Sequence, residues 1–410
     1  MNSTELDNLL HDGLTRRIPC GSKVLLIIPD TTRTAPVADM VRRIHRILRE
    51  LNAQHDIMVA LGTHPPLTEP ALRRHLGIAN GSLEEAYPGV RVINHAWDDP
   101  ASLVSIGAIP AKRIAELSHG LLAENVPLTL NRAIRNYDQL LILGPVFPHE
   151  VAGFSGGSKY LFPGISGPEM IDFFHWLGAI ITSLKTIGIR DNPVRAVLDE
   201  AAAQVPLPVH AVSMVVHNGK LSHVSVGGVK ESWRAAVEQS QRLHVVRKPR
   251  LYRRVLACAP KMYDDLWTGG KCMYKCEAVV ADGGEIVIYA PHINSFSITH
   301  GRVLEQIGYH VIGYYLQQPE RFKGIARAAM AVSSYIKGAG EYRDGVEHPR
   351  IRITVASGIG REACERAGLG YADPAQINLR DWPNREEEGL LFIEKAGETL
   401  YLPQEKGTAP

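Results

Sequence analysis

Short apolar runs of branched residues alternate with helix-like spacing near the start of the chain, and this alternation constrains the fold more than any other feature. Residues 23–29 form such a run and predict a buried strand, whereas the apolar positions of 36–51 recur three and four residues apart and predict a helix. Residues 55–62 predict a second strand and 69–76 a second helix. A β-α-β-α order places helices in the crossovers between parallel strands, so the sequence predicts an α/β fold.

The same pattern returns on both sides of a basic stretch, 242–254, which we interpret as a hinge or linker. A long helix is expected over 266–281. Further strands are expected at 139–144, 254–259, 285–290 and 351–357. We therefore predict two α/β domains with parallel-rich sheets, residues 1–245 and 246–410, with an active-site cleft between them.

The charge balance excludes some partners. The chain has 410 residues, and its 45 Lys and Arg nearly cancel its 43 Asp and Glu. No excess charge draws such a protein to nucleic acid or to a membrane surface, and no apolar run approaches the roughly 20 residues that a membrane helix needs. The five cysteines are sparse and odd in number, and the first ten residues are polar rather than a secretory signal. We expect a reduced, cytoplasmic protein that binds neither nucleic acid nor membranes.

In open parallel sheets, ligands bind beyond the carboxyl ends of the strands, so the loops after the predicted strands are the candidate sites. Four loops carry residue types used in binding and catalysis, and these are Asp30, Thr32, Arg33, His64, His149, Lys159, Trp267, Thr268 and Lys271. Arg33 suits an anion. An alternative role for Asp30 and Thr32 is to cap the helix that follows.

Taken singly, the other residues also have structural interpretations. A lone His64 or His149 is typical of a surface or structural histidine, and His175, which lies among aromatic residues, is typical of a core histidine. The glycines before Lys159 are similar to a phosphate loop but lack the Walker spacing. None of these residues alone indicates a function.

In combination, these motifs resemble the lactate racemase family, whose members use a nickel-pincer nucleotide. The segment HEVAGFSGGSK at 149–159 carries most of the resemblance, together with His175 at its spacing, DTTR at 30–33 and GTH at 62–64. The resemblance spans about residues 24–367 and includes both predicted domains.

The resemblance implies a cofactor derived from a pyridinium mononucleotide, in which two sulfur-containing arms and a ring carbon hold nickel. It implies that Lys159 is joined to this nickel-pincer nucleotide through a thioamide and that His175 is a nickel ligand, a role for which imidazole is suited. Asp30, Thr32 and Arg33 would hold the cofactor or its phosphate. The N-terminal domain is then the cofactor-binding domain, and cofactor-maturation enzymes are expected partners.

The resemblance also implies an isomerase that inverts C2 of a 2-hydroxy acid by proton-coupled hydride transfer. His64 and His149 would be the two acid–base residues. In the C-terminal domain, Lys271 would bind the substrate carboxylate, with Trp267 and Thr268 lining the pocket. Lactate-acting members generally carry glutamine at the position of Thr268 and a phenol near Trp267, so the candidate substrates extend beyond lactate to larger aryl, dicarboxylic and sugar acids.

Two other functions stay open at this point. In one, His64, His149 and His175 are three ligands of zinc or iron in a hydrolase. In the other, the chain is a non-catalytic homologue that holds a nucleotide through Asp30 and Arg33 alone. The presence of both acid–base histidines argues against the second.

Overall fold

The computed structural model describes residues 2–404 and divides into two compact units. Unit 1 comprises the chain up to Phe147, together with Ser155–Ile171 and Pro193–Leu243. Unit 2 comprises Pro148–Phe154, Asp172–Asn192 and the chain from His244 onward. The predicted boundary between residues 245 and 246 stays a prediction.

The elements follow one another in a strand–helix rhythm. Up to Pro145 they are α1 (Ser3–Thr15), β1 (Lys23–Pro29), α2 (Val37–Glu50), β2 (Gln54–Ala60), α3 (Glu69–His75), α4 (Leu83–Ala86), β3 (Val92–Asn94), β4 (Leu103–Ile109), α5 (Ala111–Leu117), β5 (Val126–Asn131) and β6 (Gln139–Pro145). The middle of the chain forms β7 (Pro148–His149), β8 (Gly153–Phe154), α6 (Pro168–Ile181), α7 (Ser183–Thr186), α8 (Pro193–Ala202), β9 (Val209–His217), β10 (Lys220–Gly228) and α9 (Val229–His244).

The last part of the described chain continues this rhythm. It forms β11 (Val245–Lys248), β12 (Tyr252–Cys258), α10 (Leu266–Gly269), α11 (Lys271–Tyr274), β13 (Val280–Ala290), α12 (Gly301–Ile307), α13 (Ile312–Leu316), α14 (Arg327–Lys337), β14 (Gly340–Arg343), β15 (Val346–Pro349), β16 (Arg352–Ser357), α15 (Arg361–Arg366), β17 (Gly370–Tyr371), β18 (Leu390–Ile393) and β19 (Leu400–Pro403).

Unit 1 is built on a six-stranded sheet in the order β10-β9-β6-β1-β2-β3. All neighbours in it are parallel except β10, which pairs antiparallel with β9. Strand β1 is buried along its whole length after Lys23, as expected of a central strand with helices on both faces. Helix α2 packs onto the sheet through the side chains Val37, Met40, Val41, Ile44, Ile47 and Leu48.

Unit 2 contains a five-stranded, fully parallel sheet in the order β17-β16-β13-β12-β18. Three strand pairs lie beside it in the same unit: β7 with β8 and β14 with β15 are antiparallel hairpins, whereas β11 with β19 is parallel. The predicted α/β class with parallel-rich sheets is confirmed. The predicted cleft stays a prediction.

Two local predictions are corrected by the structure. The chain does pass from unit 1 to unit 2 within the basic stretch 242–254, between Leu243 and His244, but the stretch is not an irregular linker, because α9 runs into it and β11 then pairs along β19. The helix expected over 266–281 is broken into α10, α11 and a 3-10 turn, Glu277–Val279. Among residues 2–404, no helix is both long and apolar enough to span a bilayer.

Candidate active site

Asp30 and His64 lie side by side at the ends of two neighbouring strands of unit 1. Asp30 directly follows β1 and His64 follows β2, whose last residues, Pro29 and Ala60, are partners in the parallel register. Nδ1 of His64 is hydrogen-bonded to Oδ2 of Asp30. Oδ1 of Asp30 accepts hydrogen bonds from the backbone N–H and the hydroxyl of Thr32, at 3.0 and 2.8 Å. The carboxylate therefore joins three of the predicted site residues into one cluster.

The ionised carboxylate of Asp30 determines which ring nitrogen of His64 carries a proton. Burial would raise the pKa of the Asp30 carboxyl, but the adjacent His64 imidazole and the hydrogen bonds from His64 and Thr32 more than offset this and hold that pKa well below its usual value. An ionised carboxylate can only accept hydrogen bonds, so Nδ1 of His64 carries a proton. The lone pair of the neutral ring is then on Nε2, where His64 can act as a base.

The capping role considered for Asp30 and Thr32 is wrong. Helix α2 begins at Val37 after Pro36, and no side chain forms a capping hydrogen bond at that end. The Asp30 carboxylate is instead occupied by His64 and by its own loop. Its position after β1 therefore serves the histidine rather than the helix.

Lys159 lies in a 3-10 turn, Gly157–Tyr160, whose first residues are shaped by two glycines. Gly156 and Gly157 have φ angles of +84° and +60°, in the left-handed region that favours glycine. A Cβ on Gly157 would also lie 2.9 Å from Cγ of Trp233. The indole therefore closes one side of the loop that presents Lys159.

Trp233 is itself held in place. Its Nε1 donates to the carbonyl oxygen of Ser155 at 2.8 Å, and the guanidinium of buried Arg195 lies 4.1 Å from the centre of its ring. The same guanidinium donates to the carbonyl oxygen of Gly156 at 3.3 Å. Burial lowers the pKa of Arg195 to about 10, so the group is still a cation at neutral pH. The segment before Lys159 is thus anchored by a cation–π contact and two hydrogen bonds.

The loops of His64 and Lys159 are hydrogen-bonded neighbours within unit 1. The N–H of Gly62 donates to the carbonyl oxygen of Gly164, and the N–H of Gly164 donates to the carbonyl oxygen of Lys159, both at 3.1 Å. A short backbone path therefore connects the two predicted residues.

Tyr160 was not among the predicted residues, although it adjoins Lys159. Burial raises the pKa of its phenol, the charge of Arg33 lowers it, and the charge of Asp30 raises it again. The ring fills the space beside Gly144, where a Cβ would lie 2.2 Å from it. Tyr160 therefore lies within electrostatic reach of both Asp30 and Arg33. In the sequence, only its position next to the candidate Lys159 could have indicated that it belongs to this site.

His149 lies in the β7–β8 hairpin of unit 2 and is only 4% exposed. Nζ of the buried Lys275 donates to the carbonyl oxygen of Pro148 at 2.6 Å and to that of Glu398 at 3.2 Å. This ammonium group fixes the strand that carries His149. Lys275 was also not predicted, because its sequence neighbourhood is that of an ordinary helix lysine.

Hydrogen bonding at His149 is the reverse of that at His64. The backbone N–H of Val151 donates to Nδ1 of His149 at 3.1 Å, so the neutral ring carries its proton on Nε2. Oε2 of Glu150 lies 3.3 Å from the same Nδ1 and would stabilise the doubly protonated ring. The neutral ring of His149 therefore presents an N–H at Nε2, whereas the neutral ring of His64 presents a lone pair there, and only His149 has a carboxylate of its own hairpin that can balance a second ring proton.

His175 and His149 both contact Phe174 in unit 2. Their ring centres lie 5.0 and 6.2 Å from that of Phe174, in edge-to-face geometry. The carbonyl oxygen of His175 accepts a hydrogen bond from the phenol of Tyr335. The ring of His175 belongs to a half-buried residue, unlike the enclosed core histidine that its aromatic neighbours suggested.

Trp267 and Thr268 lie in the short helix α10. The N–H and hydroxyl of Thr268 donate to Oδ1 of Asp265 at 2.9 and 2.6 Å, which makes Asp265 the N-cap of this helix. The ring of Trp267 lies 4.7 Å from that of His300. The hydroxyl of Thr268 thus serves the helix cap.

Lys271 begins α11 and is 6% exposed. Its Nζ lies 4.6 Å from the ring centre of Tyr263, a cation–π contact with a residue that was not predicted. A Cβ on Gly270 would lie 2.6 Å from Cγ1 of Ile336, so this glycine permits close packing next to Lys271. The ammonium group is therefore held in a well-packed part of unit 2.

Unit 1 thus gathers Asp30, Thr32, Arg33, His64 and Lys159, whereas unit 2 holds His149 and His175 around Phe174 and holds Trp267, Thr268 and Lys271 at α10 and α11. The roles that the resemblance assigns to these residues stay predictions. Among residues 2–404, no group of three His, Cys, Asp or Glu side chains is arranged to hold a metal ion.

Sequence comparisons place the first part of the chain with lactate racemases. Residues 5–188 match the family described as the lactate racemase N-terminal domain. The chain is 28% identical to the lactate racemase of Lactiplantibacillus plantarum over 183 residues, which are 44% of this chain and 38% of that protein. It is 22% identical to the lactate racemase of Thermoanaerobacterium thermosaccharolyticum over 271 residues, 65% of this chain and 59% of that protein. In both cases the matched region spans less than two thirds of the relative's own length.

Structural comparisons extend over both units. The crystal structure of a Thermotoga maritima protein matches with a TM-score of 0.90 and 28% identity, covering 98% of this chain and 99% of that one. The structure of the lactate racemase apoprotein from Thermoanaerobacterium thermosaccharolyticum matches with a TM-score of 0.72 and 17% identity, covering 96% of this chain and 92% of that one. The second likeness speaks for the fold alone.

Proposed function

This chain belongs to the lactate racemase family, and from that premise we propose that it is an isomerase, a racemase or epimerase that inverts C2 of a 2-hydroxy acid. The observation that carries the proposal is the contrast between the two histidines. The Nδ1–H of His64 donates a hydrogen bond to Asp30, whereas Nδ1 of His149 accepts a hydrogen bond from the backbone N–H of Val151. A reaction that removes a hydroxyl proton on one side and returns it on the other needs a base and an acid: the neutral ring of His64 is the base, and the imidazolium of His149, stabilised by Glu150, is the acid.

The chemistry of the substrate favours hydride over proton transfer at C2. The C2 hydrogen is bonded to a carbon next to an ionised carboxylate, so its loss as a proton would build a second negative charge beside the first. Loss as a hydride, with the hydroxyl proton going to a base, gives a neutral carbonyl instead. The substrate then becomes a 2-keto acid, and return of the hydride to the opposite face inverts the centre.

His64 takes the hydroxyl proton at Nε2, and the ionised Asp30 stabilises the imidazolium that results. His149 returns a proton from its doubly protonated ring and reverts to the neutral form, and the Glu150 carboxylate, 3.3 Å from Nδ1, stabilises that imidazolium. The opposite direction of the reaction exchanges the two roles by microscopic reversibility. Lys271 holds the substrate carboxylate, and this clamp keeps the reacting carbon in place between the two half-reactions.

The residue types at these positions suit the nickel-pincer nucleotide that the family resemblance implies. A cofactor with its own sulfur and carbon donors needs one imidazole from the protein, and His175 would supply it. Lys159 would carry the covalent link from an anchored turn, and Arg33 would bind the phosphate. When bound, the group supplies an electron-poor centre that accepts a hydride. Cofactor-maturation enzymes would be partners, and the protein would act in the cytoplasm.

The other two functions have less support. A hydrolase with three histidine ligands needs a cluster that is not formed among the described residues. A nucleotide binder that relies on Asp30 would need its carboxylate, which is already taken by His64 and Thr32. Racemisation is therefore the function that the geometry supports best. Acids larger than lactate stay among the candidate substrates, because Thr268 is shorter than the glutamine that lactate-acting members generally carry at this position.

The attachment and the acid–base roles can be tested together. Protein produced with cofactor-making enzymes should show an added mass in intact mass spectrometry, and Lys159→Ala should abolish it, while Lys185→Ala on α7 should keep it. An adduct that persists in Lys159→Ala would place the attachment elsewhere.

In the loaded protein, His64→Gln and His149→Gln should each abolish interconversion of the enantiomers, and turnover retained in both would reject the roles assigned to them.

A further inference from the structure

A strongly basic cavity of about 770 Å³ lies in unit 2, at the edge of the sheet where β12 and β16 begin. Four arginines line it, namely Arg253, Arg254, Arg352 and Arg385, together with one carboxylate, that of Glu285. Arg385 is already paired with the carboxylate of Glu388 through Nε and Nη2, so the positive charge comes from the other three. The volume falls within the range of about 300–1,000 Å³ found for small-molecule sites. Neither the family resemblance nor the proposed mechanism uses any of these residues.

Arg254, Glu285 and Arg352 form a row across three adjacent strands. Arg254 and Arg352 are the register partners of Glu285 on β12 and β16, and in-register residues of neighbouring strands point to the same face. Nε of Arg254 lies 2.7 Å from Oε2 of Glu285, and Nε of Arg352 donates to Oε1 at 3.0 Å. The buried carboxylate of Glu285 also accepts from the hydroxyl of Thr354. One carboxylate therefore orients two guanidinium groups.

This arrangement leaves positive charge and hydrogen-bond donors unused. Both arginines engage Glu285 through Nε, and neither pairs with a second carboxylate in the part of the chain that the structure describes. Their side chains are 44% and 70% exposed, so the terminal Nη groups are accessible. One arginine is enough to neutralise the charge of Glu285, so the pair carries one positive charge in excess. The accessible Nη groups of the two arginines suit the bidentate hydrogen bonds that guanidinium groups form with phosphate.

One aromatic ring lies beside these guanidinium groups, and a second lines the same cavity. The guanidinium of Arg254 lies 5.5 Å from the ring centre of Trp382, and both Trp382 and Tyr371 line the cavity and are half-buried. A free phosphate ion would fill only a small part of the space. The charge, the rings and the volume together suit a phosphate attached to a planar group.

We propose that this cavity binds a nucleotide-sized phosphate ester. Its phosphate lies on the Nη groups of Arg254 and Arg352, and its ring lies beside Trp382. Arg253, whose Nε donates to the carbonyl oxygen of Glu388, adds a further positive charge to the same cavity. The site does not depend on the proposed racemase activity.

Calorimetric titration of the full-length protein with AMP tests the proposal. We expect saturable binding at one site, weakened at high salt, with Arg352→Gln reducing the affinity about 10- to 100-fold because a charge-assisted contact is lost. Arg352 is largely exposed, so this variant should fold, which circular dichroism checks. The control is Arg343→Gln, an exposed arginine of β14 paired with Glu341, which should change the affinity less than about twofold.

Two further measurements test where the ligand binds. Ribose 5-phosphate carries the same phosphate without the base and should bind more weakly than AMP, and Trp382→Leu should remove that difference. Arg33→Gln, in unit 1, should leave AMP binding unchanged. Absence of AMP binding, equal effects of Arg352→Gln and Arg343→Gln, equal affinity for the two ligands, or loss of binding in Arg33→Gln would each overturn the proposal.

Discussion

Nζ of Lys275 lies 2.6 Å from the carbonyl oxygen of Pro148, the residue that precedes His149. Lys275→Met keeps a similar volume but removes this donor from the carbonyls of Pro148 and Glu398, and loss of the buried bond to Pro148 alone should cost about 1–3 kcal/mol. We expect lower thermal stability, and a kcat reduced about tenfold or more because the hairpin of His149 loosens.

The matched control for Lys275 is Lys261→Met, an exposed lysine of unit 2. It should change neither stability nor kcat. If Lys275→Met lowers the melting temperature but keeps the wild-type kcat and KM, then Lys275 supports the fold without positioning His149.

Asp30→Asn tests the orientation of His64. An amide can donate to Nδ1, which would move the ring proton to Nε2 and remove the base from the side that needs it. By analogy with other carboxylate–histidine pairs, kcat should fall by about 100- to 10,000-fold with little change in KM. Steady-state rates of the cofactor-loaded variant provide the measurement. Asp12→Asn, at an exposed carboxylate, is the control, and a kcat for Asp30→Asn within twofold of it would contradict the assigned role.

The stability of unit 1 should depend on pH through His95. Burial lowers the pKa of this histidine from 6.5 to about 4, and its ring is satisfied as the neutral form, with Nε2 bonded to the carbonyl of Ser166 and Nδ1 to the amide of Asn131. Because the unfolded chain takes up the proton first as the pH falls below 6.5, stability should decrease down to pH 4, by at most about 3 kcal/mol from this group.

Urea unfolding between pH 7 and pH 4 measures this decrease. In His95→Gln the slope against pH should become shallower, with the remainder coming from other groups such as His55, whose pKa burial also lowers to about 4. An unchanged slope would mean that His95 does not contribute.

Gly157→Ala should destabilise the loop before Lys159. The new Cβ would meet Trp233 at 2.9 Å in a backbone with φ of +60°. Gly120 has a φ of +81° and no atom within 4 Å of the place that a Cβ would take, so Gly120→Ala should cost only the backbone term of about 1–2 kcal/mol. Differential scanning calorimetry should show the larger loss for Gly157→Ala, together with less cofactor attached per chain. Equal losses would show that the contact with Trp233 does not matter.

The first elements of the fold were predictable because their signals are local. The expected strand 23–29 is β1, Lys23–Pro29, and the expected helix 36–51 is α2, Val37–Glu50. Buried positions are continuous in the strand and recur every three or four residues in the helix, which the apolar pattern records directly.

Features that depend on distant partners were not predictable. Strand β11 was taken for a linker, because its four residues become a strand only by pairing with β19, more than 150 residues later. The helix expected over 266–281 breaks beside Gly270, which packs against Ile336 of another helix. In both cases the deciding contact is absent from the local sequence.

The same limit applies to the candidate site. Asp30 and His64 were each visible as candidates, but their hydrogen bond joins residues 34 positions apart and follows from the pairing of β1 with β2. Lys275 contacts Pro148 across 127 positions, so only the fold reveals its connection to His149.

The most direct test of the proposed reaction is the fate of the C2 hydrogen when one enantiomer of a 2-hydroxy acid is incubated in heavy water with cofactor-loaded protein. Chiral chromatography with mass detection, over a panel of aryl, dicarboxylic, sugar and short-chain acids, measures both inversion and labelling. We predict that at least one acid is converted to its opposite configuration with little deuterium at C2. Failure to invert any acid, or deuterium entering C2 as fast as inversion, would contradict racemisation by hydride transfer.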